Sequence, residues 1–171
     1  RALQVSGAPI PTLASLCESI VMRPGPPLTI NVELKPTGYP APLIEACSPL
    51  LETLHRGPHR LIVSSFDPRV LASALDAGVP WRLAYLYETL EALPMLRFLD
   101  PRAAIDLHPK HTLVDAAHLA RYERSPFDGS PRAFRTWTVD DLAEATRLCA
   151  LGIDAIITNT PQALASSLSA A

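Results

Sequence analysis

Apolar and polar positions follow two different periods along this chain, and the two periods take turns. Runs with helical spacing, such as Leu13, Cys17 and Ile20, alternate with short runs that are apolar at nearly every position, such as 153–157. The first kind predicts an amphipathic helix, and the second predicts a buried strand. The pattern gives six strands, separated by helices, at residues 28–35, 61–66, 81–87, 103–108, 134–139 and 153–158.

Three of the predicted helices begin after a residue that can cap them. Thr12 comes before the first helix, Asp67 with Pro68 starts the helix after the second strand, and Asp140-Asp141 comes before the helix after the fifth. The side-chain oxygens of such residues accept hydrogen bonds from main-chain N–H groups of the first turn, so we expect them to act as N-caps.

Strands that alternate with helices of about ten residues indicate βα units and a parallel sheet. Such units build either an open doubly wound sheet or part of a (β/α)8 barrel. No glycine-rich phosphate turn of the doubly wound type occurs in the sequence. Polar residues instead gather after several strands, as they do at the carboxyl ends of barrel strands. We therefore expect an α/β fold of the TIM-type (β/α)8 barrel class, in a single domain over residues 1–171.

Composition narrows the class of protein. With 171 residues, 48% of them hydrophobic, and a net charge of -2, the chain is long and apolar enough for one packed domain. The same balance argues against a disordered chain and against a nucleic-acid partner. We expect no membrane span, since no apolar run reaches the roughly 18 residues required. Three widely spaced cysteines and no recognisable secretory signal predict a cytoplasmic protein.

The most informative polar pattern lies within one predicted strand. Asn31, Glu33 and Lys35 alternate with apolar residues, so their side chains share one face of that strand. Polar groups on the inner face of a buried strand are costly without partners or solvent. One interpretation is a structural Glu–Lys pair in a barrel interior. The other is a site in which Glu33 binds a hard cation and Lys35 meets an anionic oxygen.

Three further strand ends carry polar or aromatic side chains. Ser65 and Phe66 end the second strand, His108 ends the fourth, and Trp137 lies in the fifth. Each has a structural explanation by itself: a capping hydroxyl, a hydrogen-bonded histidine, or a ring that fills a barrel mouth. Taken together, they predict a concave polar site on one face of the sheet.

Six short motifs, in order along the chain, resemble those of the glycerophosphodiester phosphodiesterases. They are residues 11–13 (PTL), 31–36 (NVELKP), 63–67 (VSSFD), 107–109 (LHP), 137–141 (WTVDD) and 152–159 (GIDAIITN). This resemblance implies a TIM-type barrel that hydrolyses glycerophosphodiesters to an alcohol and glycerol 3-phosphate, in phospholipid and glycerol metabolism, with a divalent cation such as Ca or Mg.

The resemblance also implies roles for single residues. Glu33 matches a metal ligand of the family, and Lys35 matches the lysine at the substrate phosphate. Trp137 matches the residue that lines the glycerol pocket, while Ser65, Phe66 and His108 match its walls. The small-molecule glycerophosphodiester is the expected partner, and the oligomeric state is left open.

The family's His-Arg-Gly, Glu-x-Asp and His-Asp motifs, which belong to its first strands, have no counterpart at the matching place. We therefore expect the chain to be the C-terminal two-thirds of such a barrel, without its acid and base histidines, and inactive alone. The triplet His55-Arg56-Gly57 spells the first motif, but it lies between a predicted helix and a strand. That position is on the barrel face away from the chemistry, so we interpret the triplet as a helix end.

Two alternatives to this function remain. A related barrel phosphodiesterase, of the phospholipase C or sphingomyelinase D type, would use the same cation chemistry on another substrate. A non-catalytic barrel segment would serve only as a scaffold, and divalent cations would not stabilise it.

Overall fold

The computed structural model describes residues 4–5, 8–99, 102–126 and 128–168. Short 3-10 helices occupy Leu90–Met95 and His111–Leu113. The strands are β1 (Gln4–Val5), β2 (Ala8–Pro9), β3 (Thr29–Glu33), β4 (Arg60–Ser65), β5 (Arg82–Tyr87), β6 (Asp106–Pro109), β7 (Arg135–Thr136) and β8 (Ala155–Ile156). The α-helices are α1 (Leu13–Val21), α2 (Pro40–His55), α3 (Pro68–Asp76), α4 (Leu96–Leu99), α5 (Ala116–Tyr122), α6 (Leu142–Ala150) and α7 (Pro161–Leu168).

Six parallel strands form the framework of the fold. Strands β3, β4, β5 and β6 pair in that order in one sheet, and β7 pairs with β8 in a second sheet. Single bridges from Leu107 to Phe134 and from Lys110 to Trp137 connect β6 with the chain around β7. This arrangement confirms the α/β class and the parallel sheet. The antiparallel pair β1–β2 was not predicted.

The last two strands are shorter than predicted, because side chains replace part of the main-chain ladder. The main-chain N–H of Phe134 donates to the carboxylate of Asp154 at 2.7 Å. The hydroxyl of Thr136 donates to the carbonyl of Pro109 at 2.9 Å. The two segments still run side by side, since Ile157 N donates to Thr136 O and Val139 N donates to Ile157 O.

The two faces of the main sheet have different chemistry. Val32, Val63, Leu83 and Leu107 lie in or against a core cluster that also includes residues of α2 and α3. Because side chains alternate along a strand, the opposite face carries the polar residues of the same strands. These are Asn31 and Glu33 of β3, Ser64 of β4, Arg82 of β5, and Asp106 and His108 of β6. We call this surface the inner face.

Helix starts follow the sequence prediction. The side chains of Thr12, Asp67 and Asp141 each accept a hydrogen bond from a main-chain N–H in the first turn of α1, α3 and α6. Such caps satisfy donors that have no partner within the helix. The loops between these strands and helices are therefore held tightly at the carboxyl ends of the strands.

Candidate functional site

Glu33 and Lys35 lie together where β3 ends. The Nζ atom of Lys35 is 3.4 Å from Oε1 of Glu33, and the two side chains are 76% and 32% exposed. Beside them, Asn31 Nδ2 donates to Ser64 Oγ at 3.0 Å on the inner face. Glu33 ends β3 on the inner face, and Lys35 follows the strand with its largely exposed ammonium group beside the Glu33 carboxylate. Solvent exposure reduces the cost of keeping these charges ionised.

A cavity of about 550 Å³ opens beside Lys35, and we call it the mouth cavity. Its remaining lining comes from Leu34, Pro36 and the segment 65–69. The amino end of α3 belongs to this lining, and a helix amino end favours negatively charged groups. The mouth cavity therefore has the size for a small anion, with Lys35 and the amino end of α3 as its positive groups and the capping carboxylate of Asp67 as a negative one.

Sequence reasoning missed the pair Asp67 and Arg69 at this cavity. The guanidinium of Arg69 donates to both carboxylate oxygens of Asp67, with the shortest distance 2.7 Å. These hydrogen bonds from Arg69 hold the pKa of Asp67 below its ordinary value. The Asp-Pro sequence at the helix start predicted only the capping role of Asp67. That Arg69 is a second cation at the mouth cavity follows from the structure alone.

Ser65 lines the mouth cavity, but its hydroxyl already has two partners. It donates to the carbonyl of Leu34 at 2.7 Å and accepts from the main-chain N–H of Asp67 at 3.1 Å. The side chain lies on the same face of β4 as Val63, toward the helices. Ser65 therefore holds the ends of β3 and β4 together beneath the cavity.

Phe66 and Trp137 bring two distant strand ends to the same rim. Their ring centroids are 5.1 Å apart with an interplanar angle of 83°, an edge-to-face contact. Trp137 Nε1 donates to the carbonyl of His108 at 2.8 Å. Since Phe66 and Lys35 both line the mouth cavity, the indole stands at the same end of the sheet as the ammonium group.

His108 is enclosed beneath this rim, with none of its surface exposed. Burial, helped by the positive charge of Arg135, lowers the pKa of His108 to about 4, against an opposing effect of Asp106. Arg135 Nη1 lies 3.5 Å from its Nε2, and Nδ1 has no hydrogen-bond partner within the described residues. The side chain is therefore a neutral part of the inner face, and Trp137 contacts its carbonyl.

A buried ion-pair network, also missed from the sequence, supports His108. Asp106 accepts hydrogen bonds from Arg82 at 2.8 Å, from Arg135 at 2.9 Å and from the main-chain N–H of Ala133 at 3.0 Å. Burial by itself would raise the pKa of Asp106, but these donors outweigh it and hold the pKa below its ordinary value. The network fixes the inner face between β5, β6 and β7.

Cation ligands do not converge in the part of the chain that the structure describes. No group of three or more His, Cys, Asp or Glu side chains there could hold a metal ion. Glu33 offers one carboxylate, and its neighbour Lys35 is itself a cation. His108 and His111 do not form a pair either, since His108 is buried inward and His111 Nδ1 contacts Glu144 Oε1 at 2.8 Å. The described residues alone therefore do not fit a complete cation site.

The triplet His55-Arg56-Gly57 ends α2 and precedes β4, as predicted. It lies at the opposite end of β4 from Ser65, so it is remote from the mouth cavity. Asn159 Nδ2 donates to Asp140 Oδ2 at 2.9 Å and its main-chain N–H donates to Asp140 Oδ1 at 2.7 Å, which joins the segments that follow β7 and β8.

Comparison with solved structures supports the family resemblance at the level of the fold. An Oleispira antarctica phosphodiesterase, solved with its product sn-glycerol-3-phosphate, aligns over 82% of this chain at 23% identity and a TM-score of 0.65. A protein described as a glycerophosphodiester phosphodiesterase, from Galdieria sulphuraria, aligns over 98% at 22% identity and a TM-score of 0.75. A glycerophosphodiester phosphodiesterase from Parabacteroides distasonis aligns over 99% at 19% identity and a TM-score of 0.64.

The chain covers 55% of the Oleispira protein, 67% of the Galdieria protein and 68% of the Parabacteroides protein. It thus spans little more than half of the first of these structures. No family model and no curated protein matches the chain. The resemblance carried by the sequence motifs and the likeness of fold point to the same family of phosphodiesterases. Among the described residues, no helix is both long and apolar enough to cross a membrane.

Proposed function

We propose that this chain forms the substrate-phosphate side of a phosphoric diester hydrolase that acts on glycerophosphodiesters and releases glycerol 3-phosphate. One observation carries the proposal. Lys35, the amino end of α3 and the Phe66 ring line the mouth cavity at one end of a parallel sheet, and the Trp137 ring packs against Phe66. A fold shared with phosphodiesterases, one of them bound to sn-glycerol-3-phosphate, supports this assignment.

Lys35 and Arg69 supply the charge for the phosphate. Both side chains line the mouth cavity, and both are mostly exposed, so they are accessible to a dianionic or monoanionic ligand. A fixed positive charge stabilises the negative charge that grows on phosphoryl oxygens during cleavage. The rings of Phe66 and Trp137 offer an apolar wall to the glycerol carbons, while Ser65 holds the strand ends under the cavity. His108 stays neutral and positions Trp137 through its carbonyl.

A divalent cation, Ca or Mg, belongs to the proposal through Glu33. The carboxylate of Glu33 would provide one oxygen ligand, and further carboxylates would come from outside this chain. Such a cation polarises phosphoryl oxygens when it is bound. Within this chain, the carboxylate of Glu33 lies beside the ammonium group of Lys35 at the end of β3.

We further propose that strands outside this chain complete the barrel and provide the acid and base histidines. Within the described residues, β3 pairs with β4 alone, so its other edge presents main-chain donors and acceptors for another strand. The 171-residue chain by itself would then not turn over substrate. An intact-mass measurement on the natural protein tests whether it contains further strands, since its mass would then exceed that of the 171-residue chain.

The decisive experiment measures glycerol 3-phosphate released from glycerophosphocholine by the full-length protein, with Ca or Mg. Lys35→Met should lower kcat/KM by about 10²-fold or more, as expected for loss of a charge that acts on the transition state. Arg102→Met removes a cation that pairs with Asp76 elsewhere on the surface, and it should leave kcat/KM unchanged. Equal activity of Lys35→Met and the unsubstituted protein would contradict the proposal.

The two alternatives give different outcomes in the same assay. Cleavage of sphingomyelin or phosphatidylinositol in preference to glycerophosphocholine would assign the chain to a related barrel phosphodiesterase. The lack of a three-ligand cluster among the described residues is the observation that favours a scaffold. A scaffold would release no product from any of the three substrates with either cation. Turnover by the isolated 171-residue chain would disprove the inference that it is inactive alone.

A further inference from the structure

A second cavity, of about 350 Å³, lies on the helical side of the fold, outside the sheet's inner face. Its apolar lining comes from Leu93, Pro94 and Leu96 before β6, from Tyr122 at the end of α5 and from Pro126 after it. Ligand pockets in proteins range from about 300 to 1,000 Å³, so this cavity is large enough for part of a small amphiphile. Since it is remote from the mouth cavity, the proposed catalytic function does not account for it. We call it the lateral cavity.

Charge at the lateral cavity is one-sided. Arg97, Arg121 and Arg124 line it with exposed side chains, the buried Arg132 donates to the carbonyl of Tyr122 beside them, and no carboxylate lines it among the described residues. Glu91 and Glu123 lie on the same two chain segments but not in the lining. The whole chain has a net charge of -2, so this positive cluster is a local departure from the average. An apolar cavity with a rim of guanidinium groups is complementary to an anionic amphiphile.

Large apolar side chains are exposed on one of the two segments that line the lateral cavity. Leu90, Met95 and Phe98, in the segment that supplies Leu93 and Leu96, are 52%, 38% and 56% exposed. The guanidinium of Arg97 lies 4.6 Å from the centroid of the Phe98 ring, which places a cation and an exposed apolar group side by side. Contiguous exposed apolar groups mark interaction sites on soluble proteins. Cations next to such groups are typical of segments that lie in the membrane interface.

We propose that the lateral cavity and its exposed neighbours Leu90, Met95 and Phe98 form a docking surface for a bilayer that contains anionic phospholipid. The exposed apolar side chains would enter the interface between headgroups and acyl chains, and the exposed Arg97, Arg121 and Arg124 would contact the anionic headgroups. Charge and apolar surface are both needed, because either one alone gives only weak attachment. The surface is separate from the mouth cavity, so the proposal does not depend on the phosphodiesterase activity.

Vesicle sedimentation with the full-length protein tests this surface. The protein should sediment with vesicles made of phosphatidylcholine and phosphatidylglycerol in equal parts, and should remain in solution with pure phosphatidylcholine vesicles. Binding should weaken when ionic strength rises from about 0.1 M to about 1 M, because the Debye length falls from about 10 Å to about 3 Å. The double substitution Arg97→Gln and Arg121→Gln should weaken binding about tenfold or more.

Matched control variants show whether binding depends on this surface or only on the total charge and exposed apolar area of the protein. Arg23→Gln with Arg56→Gln removes the same charge from exposed positions elsewhere, and Met22→Ser removes an exposed apolar side chain elsewhere. These variants should bind as the unsubstituted protein does, whereas Phe98→Ser should bind more weakly. Thermal unfolding of every variant shows that the chain remains folded, and all the substituted side chains are exposed.

Several outcomes would overturn the proposal. These are equal binding to neutral vesicles, equal loss of binding in the control variants, or no sedimentation with anionic vesicles. A change in Tyr122 fluorescence on addition of decanoate, a monomeric anionic amphiphile, would also overturn it if the protein did not bind vesicles. The lateral cavity would then bind a soluble ligand and not a bilayer. Each readout is independent of glycerol 3-phosphate release, so failure here is distinguishable from failure of the proposed function.

Discussion

The indole nitrogen of Trp137 donates a hydrogen bond to the main-chain carbonyl of His108 at 2.8 Å. Trp137, whose ring packs against Phe66 of the mouth cavity, is thereby fixed to the backbone of the neighbouring strand. The same segments also form a parallel bridge, since Trp137 O accepts from His111 N at 3.0 Å and Pro109 O accepts from Trp137 N at 3.3 Å. The position of the ring therefore depends on a few specific bonds, and substitution of the indole tests this.

Trp137→Phe should lower the free energy of unfolding by about 1 kcal/mol, the usual worth of one hydrogen bond. Phenylalanine keeps a ring against Phe66 but has no N–H for the carbonyl of His108. Urea denaturation monitored by circular dichroism measures the change. Tyr39→Phe, at a highly exposed position, is the matched control and should leave the unfolding curve in place. Equal stability of Trp137→Phe and the unsubstituted protein would show that this bond does not hold the strand ends together.

Asp106→Asn should destabilise the fold by about 3–5 kcal/mol, because it leaves the buried guanidinium of Arg135 without its charged partner. Asp76→Asn is the matched control, since Asp76 pairs with Arg102 in an exposed ion pair. Exposed pairs contribute at most about 1 kcal/mol, so the control should differ little from the unsubstituted protein. The midpoints of chemical denaturation provide the comparison, and similar losses in both variants would argue against a structural role for the buried network.

The stability of the chain should fall as the pH is lowered from about 6.5 to about 4, partly through His108. Burial lowers the pKa of His108 to about 4 from an ordinary value of 6.5, so the imidazole protonates first in the unfolded chain. The unfolded state then binds more protons in this interval, which favours unfolding by about 3 kcal/mol in all. Above pH 6.5 the residue is neutral in both states and contributes no slope.

His108→Gln should therefore flatten the dependence of unfolding free energy on pH between about 6.5 and 4. Burial also lowers the pKa of His118, and this group adds to the slope in the same direction in every variant. Ile62→Val is the control, because it removes a buried methyl group and changes no titratable side chain. It should lower the free energy of unfolding by about 1 kcal/mol and leave the dependence of that free energy on pH unchanged. An unchanged slope in His108→Gln would mean that the imidazole is accessible to protons in the folded state.

Added Ca or Mg should raise the melting temperature of the full-length protein if Glu33 is a cation ligand. Binding to the folded state alone stabilises by about 2.7 kcal/mol when the cation is at 100 times its dissociation constant. Glu33→Gln should abolish most of this shift, whereas Glu45→Gln, an exposed carboxylate on α2, should keep it. A shift that survives in Glu33→Gln would place the cation elsewhere, and no shift with either cation would favour the scaffold interpretation.

Much of the fold follows from local patterns along the chain. The parallel strands, the caps at Thr12, Asp67 and Asp141, and the helix end at His55 were all predicted from neighbouring residues. The shared face of Glu33 and Lys35 was predicted as well, because alternation along a strand is a property of the backbone alone. The edge contact between Phe66 and Trp137 had no local signal, since 71 positions separate the two rings.

What the sequence by itself determined is therefore the order of elements, their caps and the side of each strand that carries the charges. Only the tertiary structure decided that His108 is enclosed, that Ser65 bonds with Leu34 and Asp67, and that Arg69 stands at the mouth cavity. The physical reason is that periodicity and capping act within a few residues of the backbone. The burial and partners of a polar side chain, in contrast, depend on the register of strands that are distant along the chain.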